Sequence, residues 1–166
     1  MRSGAGGLSR RLVRLSPNRG FEEAETLYKR AIEIVESSRD RDHPLMSRSL
    51  GGLAALYARK GEIESAEVLY KRAISILEDS VDRDHPRMAT LLYGLSLIYA
   101  GRGEFVAAEA LLKRALEIRL SKLGPAHPDV AAALERLAAV YASEGKDAEA
   151  KSAAERAAAI RSKSKG

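Results

Sequence analysis

The sequence predicts an all-α protein, a solenoid of antiparallel helix pairs, and three observations carry that expectation. The stretch LAALYARKGEIESAEVLYKRA at 53–73 recurs at shifts of 42 residues. Leu53, Tyr57, Gly61, Ala66 and Ala73 return as Leu95, Tyr99, Gly103, Ala108 and Ala115, and again as Leu137, Tyr141, Gly145, Ala150 and Ala157. Within each copy the apolar residues step by three and four, the spacing of one helical face. Each copy is opened by His-Pro and broken in its middle by glycine, with no alternation of the strand kind. A fixed period of this length marks stacked units that cannot bury their apolar faces alone.

Residues 1–20, MRSGAGGLSRRLVRLSPNRG, form a basic segment without an acid. Two readings stand. The composition suits an organelle transit peptide. Alternatively the segment is a degenerate first helix, because Leu8, Leu12 and Leu15 fall in the register of Leu50, Ala54 and Tyr57. Arg11 then occupies the position of Leu53, and Pro17 ends the helix. The repeat array is expected over 21–161: the second helix of a first unit, then three full units at about 43–82, 85–124 and 127–161. Residues 162–166 are a basic tail.

From Phe21 to about Ser38 one helix face is read from Phe21, Ala24, Tyr28, Ala31 and Val35. Glu25 and Lys29 stand four apart, as do Glu67 and Lys71, and Glu109 and Lys113. On an exposed face each such pair contributes roughly 0.2–0.5 kcal/mol. With the Lys-Arg pairs at 29–30, 71–72 and 113–114 they predict a solvated outer face. Asp40 to Pro44, Asp82 to Pro86 and Gly124 to Pro128 are the linkers that start the next helix, since proline is tolerated in the first helical turn. In the last helix Asp147 and Ala154 replace Ile63 and Tyr70, which suits a solvent-facing lid.

Composition excludes several functions. The chain has 166 residues, a formal net charge of +5 and no cysteine, so disulfides and thiolate metal sites are absent. Basic residues without acids crowd both ends, and the body between them carries an excess of acid. No basic face recurs along the array, which argues against nucleic acid. No window reaches the roughly 18 apolar residues of a membrane span. His43, His85 and His127 occupy the same position in successive units, so each is expected to start a helix rather than share a metal. Gly101-Arg102-Gly103 is an interhelix turn, and no nucleophile, acid–base pair or phosphate loop emerges. No catalysis, metal or cofactor is expected.

The spacing Leu-Ala-x2-Tyr-x3-Gly-x4-Ala-x6-Ala resembles the tetratricopeptide repeat, lengthened beyond its usual ~34 residues. The absence of tryptophan removes the WD40 blade, and the placing of the small residues separates the pattern from HEAT-type repeats. The long form with His-Pro at the head of each unit resembles the repeats of kinesin light chains and their bacterial relatives. That resemblance implies a right-handed superhelix whose first helices line a concave groove, and a scaffold that binds a partner protein or peptide. The groove positions it implies are Arg48, Gly51, Gly52, Ala55 and Arg59 in one unit. Thr90, Tyr93, Gly94 and Leu97 follow in the next, then Ala132, Glu135, Arg136 and Ala139. The paired asparagines usual in kinesin light chains are missing, and so is the carboxylate clamp of chaperone-binding relatives, so neither binding mode is implied.

Tyr93 breaks the pattern, because its equivalents are Gly51 and Glu135. Tyr93 and Leu97 lie four apart on one helix and face the same way. Together they form an apolar anchor point flanked by Arg48 and Arg136; alternatively Tyr93 leans sideways into the packing between units. Beside the scaffold stands a second function, a structural or regulatory arm of a larger signalling or enzyme assembly. A cytoplasmic location is expected, or an organelle if 1–20 is a targeting segment.

Overall fold

The computed structural model describes residues 19–37, 44–79 and 84–163. They form seven helices and no strand: α1 (Arg19–Ser37), α2 (Pro44–Lys60), α3 (Ile63–Glu78), α4 (Pro86–Gly101), α5 (Phe105–Leu123), α6 (Pro128–Ser143) and α7 (Asp147–Lys163). Arg19 and Gly20 already belong to α1. The remainder of the basic segment, including its first-helix reading, and His43 with its linker lie outside the described residues.

Local chemistry sets the helix boundaries. Gly61, Gly103 and Gly145 adopt φ of 84°, 78° and 74°, a left-handed conformation that a side chain would resist. Each closes a Schellman turn: the Glu62 amide donates to the Tyr57 carbonyl and the Gly61 amide to that of Ala58. The same pair of bonds recurs around Gly103 and Gly145. At the helix starts, the imidazole Nδ1 of His85 accepts from the Arg87 amide at 3.1 Å, and that of His127 from the Asp129 amide at 3.1 Å. Pro86 and Pro128 follow directly, and proline has no N–H to leave unsatisfied there. His85 and His127 are therefore helix caps.

Each short turn folds two helices back on one another, giving the pairs α2–α3, α4–α5 and α6–α7, with α1 packed on α2. Inside the pairs Ala54, Ala66, Ala73, Ala108 and Ala115 are fully buried, where helices cross too closely for a larger side chain. Leu53, Leu95 and Leu137 are buried around them, each burial contributing about 1.5–3 kcal/mol. Neighbouring pairs then stack. α2 and α4 touch directly, while α1, α3, α5 and α7 have no comparable contact with one another. The layer of α2, α4 and α6 is thus the inner side of the curve. α7 buries only Ala153 and Ala157 and turns its other side chains outward or to the rim, as a lid does.

The Glu–Lys pairs on the outer helices link units as well as turns of one helix, which sequence spacing did not reveal. Glu25 accepts from Lys29 at 2.8 Å, from Lys60 at 2.8 Å and from the Tyr57 hydroxyl at 3.1 Å. Glu67 repeats this with Lys71, Arg102 and the Tyr99 hydroxyl, and Glu109 with Lys113 and Lys146. Held by Lys29 and then Lys60, Glu25 has its pKa lowered to about 2; Lys113 and then Lys146 do the same for Glu109. Lys71 and then Arg102 lower that of Glu67. Arg72 and Arg114 bridge units in the same way, each 2.6 Å from Glu36 or Glu78.

Candidate peptide-binding face

The expected groove residues all lie on the inner helices, but they separate into two regions. On α2, Gly52 sits beneath the Tyr28 ring, and a Cβ there would lie 2.4 Å from Tyr28 Cζ. It is a seat for Tyr28 rather than open groove. A Cβ at Gly51 would lie 2.5 Å from Leu91 Cδ2 of α4, so glycine permits the direct contact of α2 with α4. Gly94 takes the Tyr70 ring as Gly52 takes Tyr28. Arg48 and Ala55 are exposed, and the Arg59 guanidinium lies 4.7 Å from the Phe21 ring centroid.

Tyr93, Leu97 and Arg136 come together at the seam between α4 and α6. A mostly apolar pocket of about 380 Å³ opens there. Leu97 and Ala100 of α4, Phe105 and Leu112 of α5, and Arg136 and Ala139 of α6 are among its walls. The register explains the opening. In the α2–α4 seam the equivalent of Leu112 is Tyr70, buried against Gly94, and the equivalent of Ala139 is Leu97. Replacing the large pair by leucine and alanine removes the volume that would fill the seam.

Tyr93 is half-buried one turn from Leu97 and packs against the cluster that includes Ala133 and Leu134. Arg136 Nε donates to its hydroxyl at 3.3 Å, and the Arg119 guanidinium lies 4.7 Å from its ring centroid. Tyr93 thus packs sideways between units, and the pocket is walled by its neighbours Leu97 and Arg136 rather than by its own ring. On its far side Thr90 lines a second cavity of about 420 Å³, with Arg87, Arg119 and Lys122.

Arg119, Phe105 and Leu112 did not emerge from sequence as site residues, because they lie on α5 and only first helices were assigned to the groove. The signal for Arg119 was present: it occupies the core register of the buried Leu77. Burial lowers the pKa of its guanidinium against the opposing pull of Asp129 and Tyr93. That of Arg87 is lowered by burial and then by the nearby Arg48.

Charge divides the two faces. Lys29, Lys60, Lys71, Arg72, Lys113 and Arg114 each hold a carboxylate on the outer helices or at the turns. Along the inner face, Arg48, Arg59, Arg87, Arg119 and Arg136 have no carboxylate within ion-pair distance among the described residues. Glu135, the acid at the register of Tyr93, is held by Arg161 at 3.0 and 3.1 Å. No three His, Asp or Glu side chains gather into a metal-sized cluster among the described residues, and none of their helices is long and apolar enough to cross a membrane.

The tetratricopeptide repeat family profile matches residues 18–79 and 81–163, and the chain belongs to that family. The fold is similar to that of BtubC (BKLC) from P. vanneervenii, with TM-score 0.81 and 28% identity over 88% of this chain and 57% of that one. It is also similar to a Podosopora anserina protein of the kinesin light chain type with nearly identical TPR-like repeats. One crystal structure of that protein, carrying a single substitution, gives TM-score 0.75 and 26% identity over 88% of this chain and 69% of the other. A second gives TM-score 0.66 and 26% identity, over 89% and 70%. The chain thus spans a little over half the length of BtubC. No protein of curated function matches it. The repeats are of the kinesin-light-chain-like kind.

Proposed function

We propose that this tetratricopeptide array captures an extended, acidic segment of a partner protein on its inner face. Repeats of this family mediate protein–protein interaction, and the fold is typically a non-catalytic scaffold. Here the apolar pocket between α4 and α6 takes one apolar or aromatic side chain of the segment. Leu97, Phe105 and Leu112 supply contact area. The arginines beside it, Arg136 foremost, favour acidic flanks.

The carrying observation is the pairing of that pocket with cations that have no internal carboxylate. A solvated arginine gains from an acidic partner without first breaking an ion pair, whereas the outer lysines would have to release Glu25, Glu67 or Glu109. Arg48, Arg59 and Thr90 extend the same face along the segment, with the small, exposed Ala55 between the two arginines of α2.

A random peptide library selected on the immobilised chain tests this reading. The expected consensus is one large apolar residue with Asp or Glu nearby. Leu97→Asp should weaken the selected peptides at least tenfold while helicity is kept, since losing a buried apolar anchor costs about 2 kcal/mol or more. Selection of basic peptides, or of peptides indifferent to Leu97→Asp, would contradict it.

A further inference from the structure

The second cavity lies where the amino-terminal ends of α4 and α6 meet the carboxy-terminal end of α5. Arg87, Arg119 and Lys122 line it, with the caps His85 and His127, and Asp129 is the one carboxylate residue on its wall. The backbone amides at these helix ends are already engaged. Those of Arg87 and Met88 bond to His85, and those of Asp129 and Val130 to His127. Any ligand here is therefore held by side chains.

Arg119 is the unusual member. Only 7% of it is exposed. Its Nη1 donates to the Asp129 carbonyl at 2.9 Å, and no carboxylate pairs with it among the described residues. No buried side-chain nitrogen there lacks a hydrogen-bond partner, so its remaining N–H groups reach solvent, which Arg119 meets in this cavity. The same register in the other units shows how a charge at this place is otherwise avoided or met. Leu77 stands opposite Gly51, and Arg161 is neutralised by Glu135. Only in the middle unit does the arginine face an aromatic ring, which supports a cation without cancelling its charge.

Arg87, Arg119 and Lys122 against Asp129 leave an excess of about two positive charges, which complements a phosphomonoester of about −1.5 to −2. A single carboxylate would leave the cavity positive. The planar Arg fork also suits phosphate oxygens. The α4 walls of the two cavities are centred near residues 88 and 98, which at 1.5 Å per residue places the cavities about 15 Å apart. An extended chain covers that span in about five residues.

We infer that this cavity is a phosphate subsite: it seats a phosphorylated Ser, Thr or Tyr side chain of the captured segment, about five residues from the apolar anchor. The inference rests on the peptide reading above. The test uses fluorescein-labelled peptides with a phenylalanine anchor and a serine three to seven residues to either side, each made unmodified, phosphorylated and with glutamate in place of the serine. Binding is read by anisotropy to the full chain, to Arg87→Gln, and to Arg119→Leu, which installs the residue the repeat uses at Leu77. Phosphorylation near five residues should tighten binding at least tenfold over both other forms. That gain should vanish in both variants, while Leu97→Asp lowers phosphorylated and unmodified peptides by the same factor. A phosphate gain that survives Leu97→Asp, with the unmodified peptides equally unaffected by it, leaves the subsite standing and removes the anchor. Phosphorylation without gain at any spacing, a gain unchanged in Arg87→Gln and Arg119→Leu, or a series in which no peptide binds, overturns the subsite.

Discussion

The two inner seams are built from one repeat and end differently. Between α2 and α4, Gly51 lets the helices touch, Tyr70 lies on Gly94, and Leu97 stands where the next unit has alanine. The seam is full. Between α4 and α6, Leu112 and Ala139 leave the apolar pocket, Tyr93 stands in place of Gly51, and a buried arginine braces it. A solenoid can thus hold its outer staples constant, as the Glu25, Glu67 and Glu109 clusters do, and open a pocket by changing the side-chain volumes at one inner seam.

Forcing volume into the full seam should have the largest effect on stability. In Gly94→Val a Cβ would lie 2.5 Å from Tyr70 Cζ, and Tyr70 is itself buried. Overpacking of this kind costs typically 1–3 kcal/mol. Arg136→Ala, at the same register of the open seam, should stay within about 0.5 kcal/mol, as surface changes do. Equal urea midpoints for the two variants would erase the contrast.

Tyr93→Ala should fall between these. A fully buried aromatic costs about 3–5 kcal/mol when truncated, and half burial predicts roughly 2 kcal/mol. Tyr93→Phe keeps the ring under Arg119 and should be nearly silent in the same urea titration. A silent Tyr93→Ala would show that the ring does not brace the seam.

Acid should weaken both seams alike, because each carries a cluster with a depressed carboxylate. A lowered folded pKa stabilises above the unfolded value and is lost as pH falls through the folded one. Stability should therefore hold down to about pH 4.5 and decline towards pH 2, where Glu25 and Glu109 titrate. Combined Glu25→Gln, Glu67→Gln and Glu109→Gln should flatten that decline, as read by thermal melts across this window. An unchanged profile would remove these residues from the coupling between units.

The fold was legible because repetition makes every structural requirement appear several times: the glycine turns, the His-Pro starts and the crossing alanines. The site was legible in part. Assigning the first helices to the groove singled out Tyr93, Leu97 and Arg136, which the structure brings to one seam. The pocket itself was hidden because it results from absent volume at Leu112 and Ala139, and a smaller apolar residue still fits the apolar pattern. Arg119 was hidden on a helix assigned to the outside, although a charge in the register of Leu77 was a visible anomaly. Spacing of four showed Glu25 with Lys29, but nothing local shows that Tyr57 and Lys60, 32 and 35 residues on, share the same carboxylate.

The most direct test restores the full seam at the open one. Tyr28 and Tyr70 sit at this register only against Gly52 and Gly94, and Arg136 holds the matching place here, so Leu112→Tyr is made in an Arg136→Gly background. Its ring should then enter the pocket. Calorimetric titration of a library-selected peptide should show affinity at least tenfold lower for the double variant than for Arg136→Gly alone. The melting temperature should be unchanged or raised relative to Arg136→Gly, because filling a cavity commonly adds about 0.5–2 kcal/mol. A stably folded double variant that binds the peptide as well as Arg136→Gly does would contradict the claim that the missing volume between α4 and α6 is the binding site.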